Sequence, residues 1–218
     1  WWGNLVTARD WSDLWVHEAL ATYMEALYVE QTSGIERYHA YINRLKPTGN
    51  PLIALAPQEA KTAYQMFSSV DTYFRGAWVI HTLRWHLGDD AFFSLLKHWA
   101  YPDTSDTDNS LGRQCRLVTT AEMKQHAETV TGRDLDPFFE VYFRSGYFPR
   151  LNVDRTRTEA VFTWDTQYDT PLDLDVPVLV NGSLKRVTMI AGAATLPVSA
   201  AADLTIDPDQ RILMNEPV

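Results

Sequence analysis

The sequence contains a single cysteine, Cys115, among its 218 residues. One cysteine excludes an internal disulfide and any metal site built from several thiolates. Positive charge is also scarce, because 19 lysines and arginines stand against 28 acidic residues and leave a formal net charge of −9. Nucleic acids and anionic membranes are bound through basic surfaces, so we expect no nucleic acid and no membrane as a partner. No apolar run approaches the roughly 20 residues that a membrane-spanning helix requires.

Histidine pairs with the spacing of a helical zinc site are missing as well. Two ligands on one helix face the same metal when they lie four residues apart. The six histidines are His17, His39, His81, His86, His98 and His126. No two of them have that spacing, and the adjacent His17 and Glu18 would point about 100° apart on a helix. Taken alone, the chain therefore holds no complete zinc site.

The longer, N-terminal part of the sequence carries the apolar spacing of helices. Val16, Leu20, Tyr23 and Leu27 recur at helical intervals and predict a helix over 11–31 that Gly34 can end. Further helices are predicted over 35–45, 71–87, 89–99 and 136–143. A capping-box pattern at 119–122 opens one more helix, which we expect to end at 132.

Beyond residue 149 the pattern changes to the two-residue period of strands. Ala160, Phe162 and Trp164 alternate with a second set of side chains, and the same holds over 176–180. The pair Asn181-Gly182 lies between two β-prone runs, which is a strong hairpin signal. We therefore predict an α+β chain, with a helical domain over 1–148 and a small antiparallel β-sandwich domain over 149–218.

Glu18 is unusual for its place in the first predicted helix, where its neighbours Leu14, Trp15 and Leu20 are apolar. A carboxylate on an apolar helix face costs free energy unless it is paired or bound to a metal. The pattern alone favours a solvated face or an ion pair over a metal ligand. Glu25 follows two turns later on the same face.

Three segments of the sequence resemble those of one enzyme family. Residues 1–7 (WWGNLVT) and 11–15 (WSDLW), followed by Glu18 and by 21–25 (ATYME), resemble the segment that follows H-E-x-x-H-x-W-x-G-N in the zinc aminopeptidases of the M1 (gluzincin) family. The family spacing, measured from the second histidine of that motif, implies that Glu18 is the third protein ligand of zinc. It also implies that the two histidine ligands and the general-base glutamate lie upstream of Trp1.

The second segment, 71–84 (DTYFRGAWVIHTLR), resembles the family's Y-x-K/R-G-A-x-V-L-H-x-L-R helix. In the family that tyrosine points its hydroxyl at the scissile carbonyl oxygen, and the position corresponds to Tyr73. The alternative for Tyr73 is a core aromatic with a satisfied hydroxyl. Gly76, a poor helix former, suits close packing of another backbone. A third and weaker segment, 131–149, resembles the end of the family's catalytic domain.

The resemblance implies a partial thermolysin-like catalytic domain and a zinc metallo-aminopeptidase that hydrolyses N-terminal residues from peptides. The implied cofactor is Zn²⁺, with Glu18 as metal ligand, Tyr73 as catalytic residue and Glu25 orienting a zinc-binding histidine from behind. The amine-binding motif of the family also lies upstream. This chain alone is therefore expected to bind no zinc and to be inactive, and its partners would be peptide substrates and the missing N-terminal part of the same protein.

Two other functions fit the same pattern. An M1-like chain without its ligands could be a non-catalytic peptide-binding or interaction protein, although the presence of Glu18 and Tyr73 argues against this. The β domain could also be an independent binding module. The match departs from the family at His17 and Ala19, where the family often has Asn and Gly. His17 could hydrogen-bond near the site or point outward.

We predict that the isolated chain self-associates in solution. In the family these helices pack against the subdomain that carries H-E-x-x-H, and its removal would expose an apolar face around Trp1, Trp2, Trp15 and Tyr73. Exposed apolar patches beyond roughly a few hundred Å² drive association. Sedimentation at high concentration, together with binding of a hydrophobic dye, tests this. A clean monomer without dye binding contradicts it.

Overall fold

The helices predicted from apolar spacing are present in a computed structural model, which describes residues 1–47, 62, 64, 67, 71–103, 105, 107 and 112–215. The helices are α1 (Trp15–Ser33), α2 (Ile35–Arg44), α3 (Asp71–Leu87), α4 (Asp89–Ala100), α5 (Thr120–Thr131) and α6 (Asp136–Phe139). A 3₁₀ turn, Trp11–Asp13, precedes α1, and a π turn, Glu140–Arg144, follows α6. No helix in the described ranges combines the length and the apolar character needed to cross a membrane.

The ends of these helices follow the predicted capping residues. Gly34 ends α1 with a φ of 84°, in the left-handed region that glycine adopts without steric cost. Both hydrogen bonds of the capping box are formed at α5, between Thr119 and Glu122. Gly132 closes the same helix in the left-handed conformation. The predicted boundaries of α1, α3 and α5 are therefore confirmed to within a few residues.

The chain divides into two compact units, Trp1–Asp136 and Pro137–Val218. This division falls after the first residue of α6, so the rest of α6 and the π turn belong with the strands that follow. The domain boundary predicted at 148 lies further along the chain and stays a prediction. The mixture of a helical unit and antiparallel sheets is the predicted α+β class.

The helical unit also contains a short parallel sheet of two strands. Strand β1 (Val6–Ala8) pairs with β2 (Arg116–Val118), with Val6 opposite Arg116. Neither strand was predicted, because three residues are too few to show a two-residue period. The pairing fixes the backbone just before α1 against the backbone just before α5.

A buried polar contact holds the starts of α1 and α5 together. One oxygen of Asp13 accepts hydrogen bonds from both the backbone N–H and the hydroxyl of Thr120, each at 2.8 Å. The Thr120 hydroxyl oxygen in turn accepts from Trp15 Nε1 at 2.8 Å. Trp15 is completely buried, so its predicted place on an exposed apolar face is wrong. Trp1, by contrast, is 69% exposed.

The C-terminal unit consists of two three-stranded antiparallel sheets. One sheet has the order β3 (Arg150–Arg155), β4 (Glu159–Asp165), β7 (Ala193–Pro197), and the other the order β6 (Ser183–Val187), β5 (Val176–Val180), β8 (Leu204–Ile206). Ala160, Phe162 and Trp164 are buried, as their alternation predicted. The predicted hairpin is confirmed, since Asn181 and Gly182 both have positive φ, at 48° and 80°.

Replacing Asp13 by alanine should destabilise the helical unit. The substitution leaves the buried N–H and hydroxyl of Thr120 without their acceptor, which costs about 1–3 kcal/mol. It also removes a negative charge from the N-terminus of α5, where the helix dipole favours one. Urea denaturation of Asp13→Ala should show this loss in the free energy of unfolding. Thr119→Ala, which removes a more accessible cap from the same helix, should cost about 1 kcal/mol. An equal or smaller loss for Asp13→Ala would contradict the structural role of this contact.

Candidate active site

Helices α1 and α3 bring Glu18 and Tyr73 together. Glu18 lies in the first turn of α1 and Tyr73 in the first turn of α3, and both side chains are half-buried. Burial raises the pKa of the Tyr73 phenol, and the negative charge of Glu18 and a hydrogen bond to that carboxylate raise it further. The phenol is therefore protonated at neutral pH and faces the carboxylate. Tyr73 is thus half-buried with a hydrogen-bonded hydroxyl, and its catalytic role stays a prediction.

The close approach of the two helices occurs at Gly76 and Ala19. A Cβ atom added to Gly76 would lie 2.4 Å from the Ala19 Cβ and 3.2 Å from the Ala19 Cα. Both residues are fully buried or nearly so. The predicted use of Gly76 for close backbone packing is therefore confirmed. Its packing partner is the residue that follows Glu18.

His17 is held by the backbone in front of α1. Its Nε2 accepts a hydrogen bond from the Ala8 N–H at 2.7 Å. Gly3, with a φ of 95°, brings its Cα close to the imidazole ring, because a Cβ built there would lie 3.6 Å from the ring. Burial lowers the pKa of His17, while the neighbouring Glu18 charge opposes that shift. Nε2 is thus engaged by β1, and the ring fixes the first turn of α1 against that strand.

The environment of Glu25 differs from that of Glu18. Its side chain is exposed, and its carboxylate accepts a hydrogen bond from the Tyr41 hydroxyl of α2. This hydrogen bond is the main reason why the pKa of Tyr41 is raised, with burial adding to it. The orienting role predicted for Glu25 concerns a histidine outside this chain, and it stays a prediction.

A buried polar network ties α1, α2 and α3 together beyond the site. The hydroxyls of Tyr23 and Tyr38 lie 2.8 Å apart, and the Tyr38 hydroxyl lies 2.6 Å from His81 Nδ1. Burial raises the pKa of Tyr38 to about 12, so this hydroxyl remains protonated. At the far end of α1, Glu30 forms an ion pair of 2.5 Å with Arg84 of α3. Sequence patterns had not identified this network, since its members are spread over three helices. The only signal was the histidine and arginine of the second family-like segment.

Carboxylates close enough together to hold a metal ion occur elsewhere in the described residues, at Glu128, Asp134 and Asp136. The ammonium group of Lys124 already contacts Asp136 and lies 3.8 Å from Glu128. Glu128 also accepts a hydrogen bond from the Leu135 N–H at 3.1 Å. This exposed cluster is compensated by its own neighbours. It is separate from Glu18, around which the described residues form no comparable group.

The comparisons with known proteins identify the family. A model of the peptidase family M1 domain matches residues 1–142. The chain belongs to peptidase family M1. It is 25% identical to aminopeptidase N of Lactococcus lactis subsp. lactis, over 71% of this chain and 18% of that protein. It is 29% identical to human endoplasmic reticulum aminopeptidase 2, over 53% of this chain and 13% of that protein.

The fold also agrees with a solved relative. The crystal structure of Legionella pneumophila aminopeptidase A in complex with aspartic acid superposes with a TM-score of 0.72 at 18% identity. The superposition covers 98% of this chain and 25% of that protein. Both units of the chain thus have counterparts in an aminopeptidase fold. The chain spans less than a fifth of the length of the curated relatives named above.

The isolated chain should not bind zinc tightly. A protein zinc site needs about four ligand positions, and the described residues offer one carboxylate at Glu18. The adjacent His17 cannot add its Nε2, which already accepts the Ala8 N–H. Equilibrium dialysis at micromolar free zinc, followed by elemental analysis, measures the bound metal. Near-stoichiometric zinc would show that the chain carries more of the site than we expect.

Proposed function

We propose that the protein containing this chain is a zinc aminopeptidase, which hydrolyses the N-terminal residue from peptides. The observation that carries the proposal is the meeting of Glu18 and Tyr73 across the α1–α3 contact. The aminopeptidases named above support it as members of the same family. By itself the chain would be inactive, since the remaining ligands and the base are not among its residues.

Glu18 suits the part of a zinc ligand. Its carboxylate is half-buried, and none of the ion pairs within the described residues includes it. Carboxylate oxygen is one of the ligands that zinc takes in proteins, and no cationic side chain of the described residues is paired with Glu18. Zinc, when bound, supplies Lewis-acid polarisation of a water molecule and of the peptide carbonyl. Glu18 provides one protein ligand, and the residues that complete the set belong to the upstream part of the protein.

Tyr73 suits the part of the hydrogen-bond donor to the substrate. When water attacks a peptide carbonyl, the carbon becomes tetrahedral and its oxygen gains negative charge. A phenol stabilises that oxygen by donating a hydrogen bond, and it keeps its proton at neutral pH. Tyr73 lies in the first turn of a regular helix, and this rigid backbone holds the hydroxyl in place before the substrate binds. Tyr73 is thus the residue of this chain that stabilises the transition state.

Glu25 completes the proposed site as a positioning residue. A carboxylate that accepts the second N–H of a zinc-bound histidine fixes the ring and its tautomer. The carboxylate is exposed on α1 two turns after Glu18, and its contact within the described residues is the Tyr41 hydroxyl. An oxygen not used by Tyr41 remains for a histidine from the upstream segment.

Replacing Tyr73 by phenylalanine in the full-length protein should lower kcat by about 10²–10³-fold, as the loss of one such donor typically does. The ring remains, so folding, KM and zinc content should change little. Steady-state kinetics on a peptide substrate and elemental analysis measure these quantities.

Glu18→Ala is the matched comparison, because it should lose zinc as well as activity. Phe67→Leu, a conservative change at an exposed aromatic, is a control that should leave kcat unchanged. If Tyr73→Phe keeps more than about half of the wild-type kcat, Tyr73 does not stabilise the transition state and its proposed role is wrong.

A further inference from the structure

We propose that Gly76 is a positioning residue of this site, because its lack of a Cβ sets the separation of α1 and α3 at which Tyr73 reaches Glu18. The proposal rests on the proposed function above and adds a residue that touches neither the metal nor the substrate. Its evidence is steric and lies entirely within the helical unit.

The contact leaves no room for a methyl group on α3. A Cβ at position 76 would lie 2.4 Å from the Ala19 Cβ, whereas carbon atoms in favourable contact are about 3.5–4.0 Å apart. The obstructing atoms are the Cβ and the backbone Cα of a buried alanine, which has no rotamer that could move away. Any side chain at position 76 must therefore push the helices apart by about an ångström or more.

The side chains of the proposed site, Glu18 and Tyr73, lie next to this contact. Glu18 directly precedes Ala19, and Tyr73 is one turn before Gly76. Helices move as rigid elements over such short distances, so a change in their separation passes directly to the distance between the Tyr73 hydroxyl and the Glu18 carboxylate. A misplacement of about 1 Å in an active site can cost about 10²-fold in rate.

The other end of the helix pair is fastened. Glu30 of α1 and Arg84 of α3 form an ion pair of 2.5 Å, and Arg84 also contacts Asp89 at 2.8 Å. The Tyr23–Tyr38–His81 network lies between this ion pair and the Gly76 contact. A wedge at position 76 therefore opens the end of the pair that carries Glu18 and Tyr73, since the far end is held.

The test uses four forms of the full-length protein: wild type, Gly76→Ala, Ala19→Gly and the double variant Ala19→Gly/Gly76→Ala. The double variant moves the methyl group from one helix to the other and removes the 2.4 Å clash. It leaves only the 3.2 Å approach to the Cα of residue 19, which a shift of a few tenths of an ångström relieves. Kinetics, zinc content and thermal unfolding are measured for each form.

We expect Gly76→Ala to lower kcat by about 10–10²-fold with KM changed less than about twofold, as for a misplaced donor. The double variant should recover kcat to within about threefold of wild type and unfold at a higher temperature than Gly76→Ala. Ala19→Gly alone should keep kcat, although it loosens the contact. Ala19→Gly separates positioning from a general loss of stability, because it also lowers the packing quality and yet should keep its kcat.

The proposal is overturned if Gly76→Ala keeps its kcat, or if the double variant is inactive, whether folded or not. When Gly76→Ala does not fold, the double variant still decides between these outcomes. Glu18→Ala and Tyr73→Phe are assayed in parallel. If those two keep full activity, the proposed function itself fails, whatever the Gly76 series shows.

Discussion

The contact between Gly76 and Ala19 is the constraint on which the candidate site depends. Two helices can approach this closely only where one of them lacks a side chain, and here the missing side chain belongs to α3. The helices come from distant parts of the sequence, yet their first turns carry the two residues whose chemistry matters. The Gly76–Ala19 contact sets the separation of the helices at one point, and the ion pair of Glu30 and Arg84 joins them at another. Together these contacts determine where the Glu18 carboxylate and the Tyr73 hydroxyl lie.

Contacts outside the helix pair hold the N-terminal end of α1 in place. His17 is bonded to β1 through the Ala8 N–H, and β1 is paired with β2. Asp13 connects the turn before α1 to the first residue of α5. These contacts are polar and specific, unlike the apolar packing further along α1. They fix the rotation of the first turn of α1 and hence the direction of Glu18.

Much of this could be predicted from the sequence, for identifiable reasons. Helix ends were readable where a residue has one dominant local role, as Gly34, Gly132 and the Thr119–Glu122 capping box do. The Asn181-Gly182 hairpin was readable for the same reason. The three-residue strands β1 and β2 were not, because their pairing links residues far apart in the chain and leaves no local period. Trp15 was misjudged for a related reason, since it contacts Thr120 and Trp99, which lie about a hundred residues further along the chain.

The three glutamates of α1 show why the candidate site could be predicted only in part. Glu30 is neutralised by Arg84, and Glu25 is exposed and bonded to Tyr41, so each has an ordinary explanation within this chain. Glu18 is half-buried, and its contact within the described residues is the phenol of Tyr73. The negative charge of Glu18 raises the pKa of that phenol. Its apolar neighbours marked Glu18 as unusual, but only the family-like spacing favoured a metal ligand over a solvated face or an ion pair. A folded chain tolerates a poorly compensated carboxylate where another component supplies the compensation, and functional sites are where such local conflicts are kept. The half-buried place of Glu18 beside Tyr73 thus supports the proposed zinc ligand, which the family-like spacing first suggested.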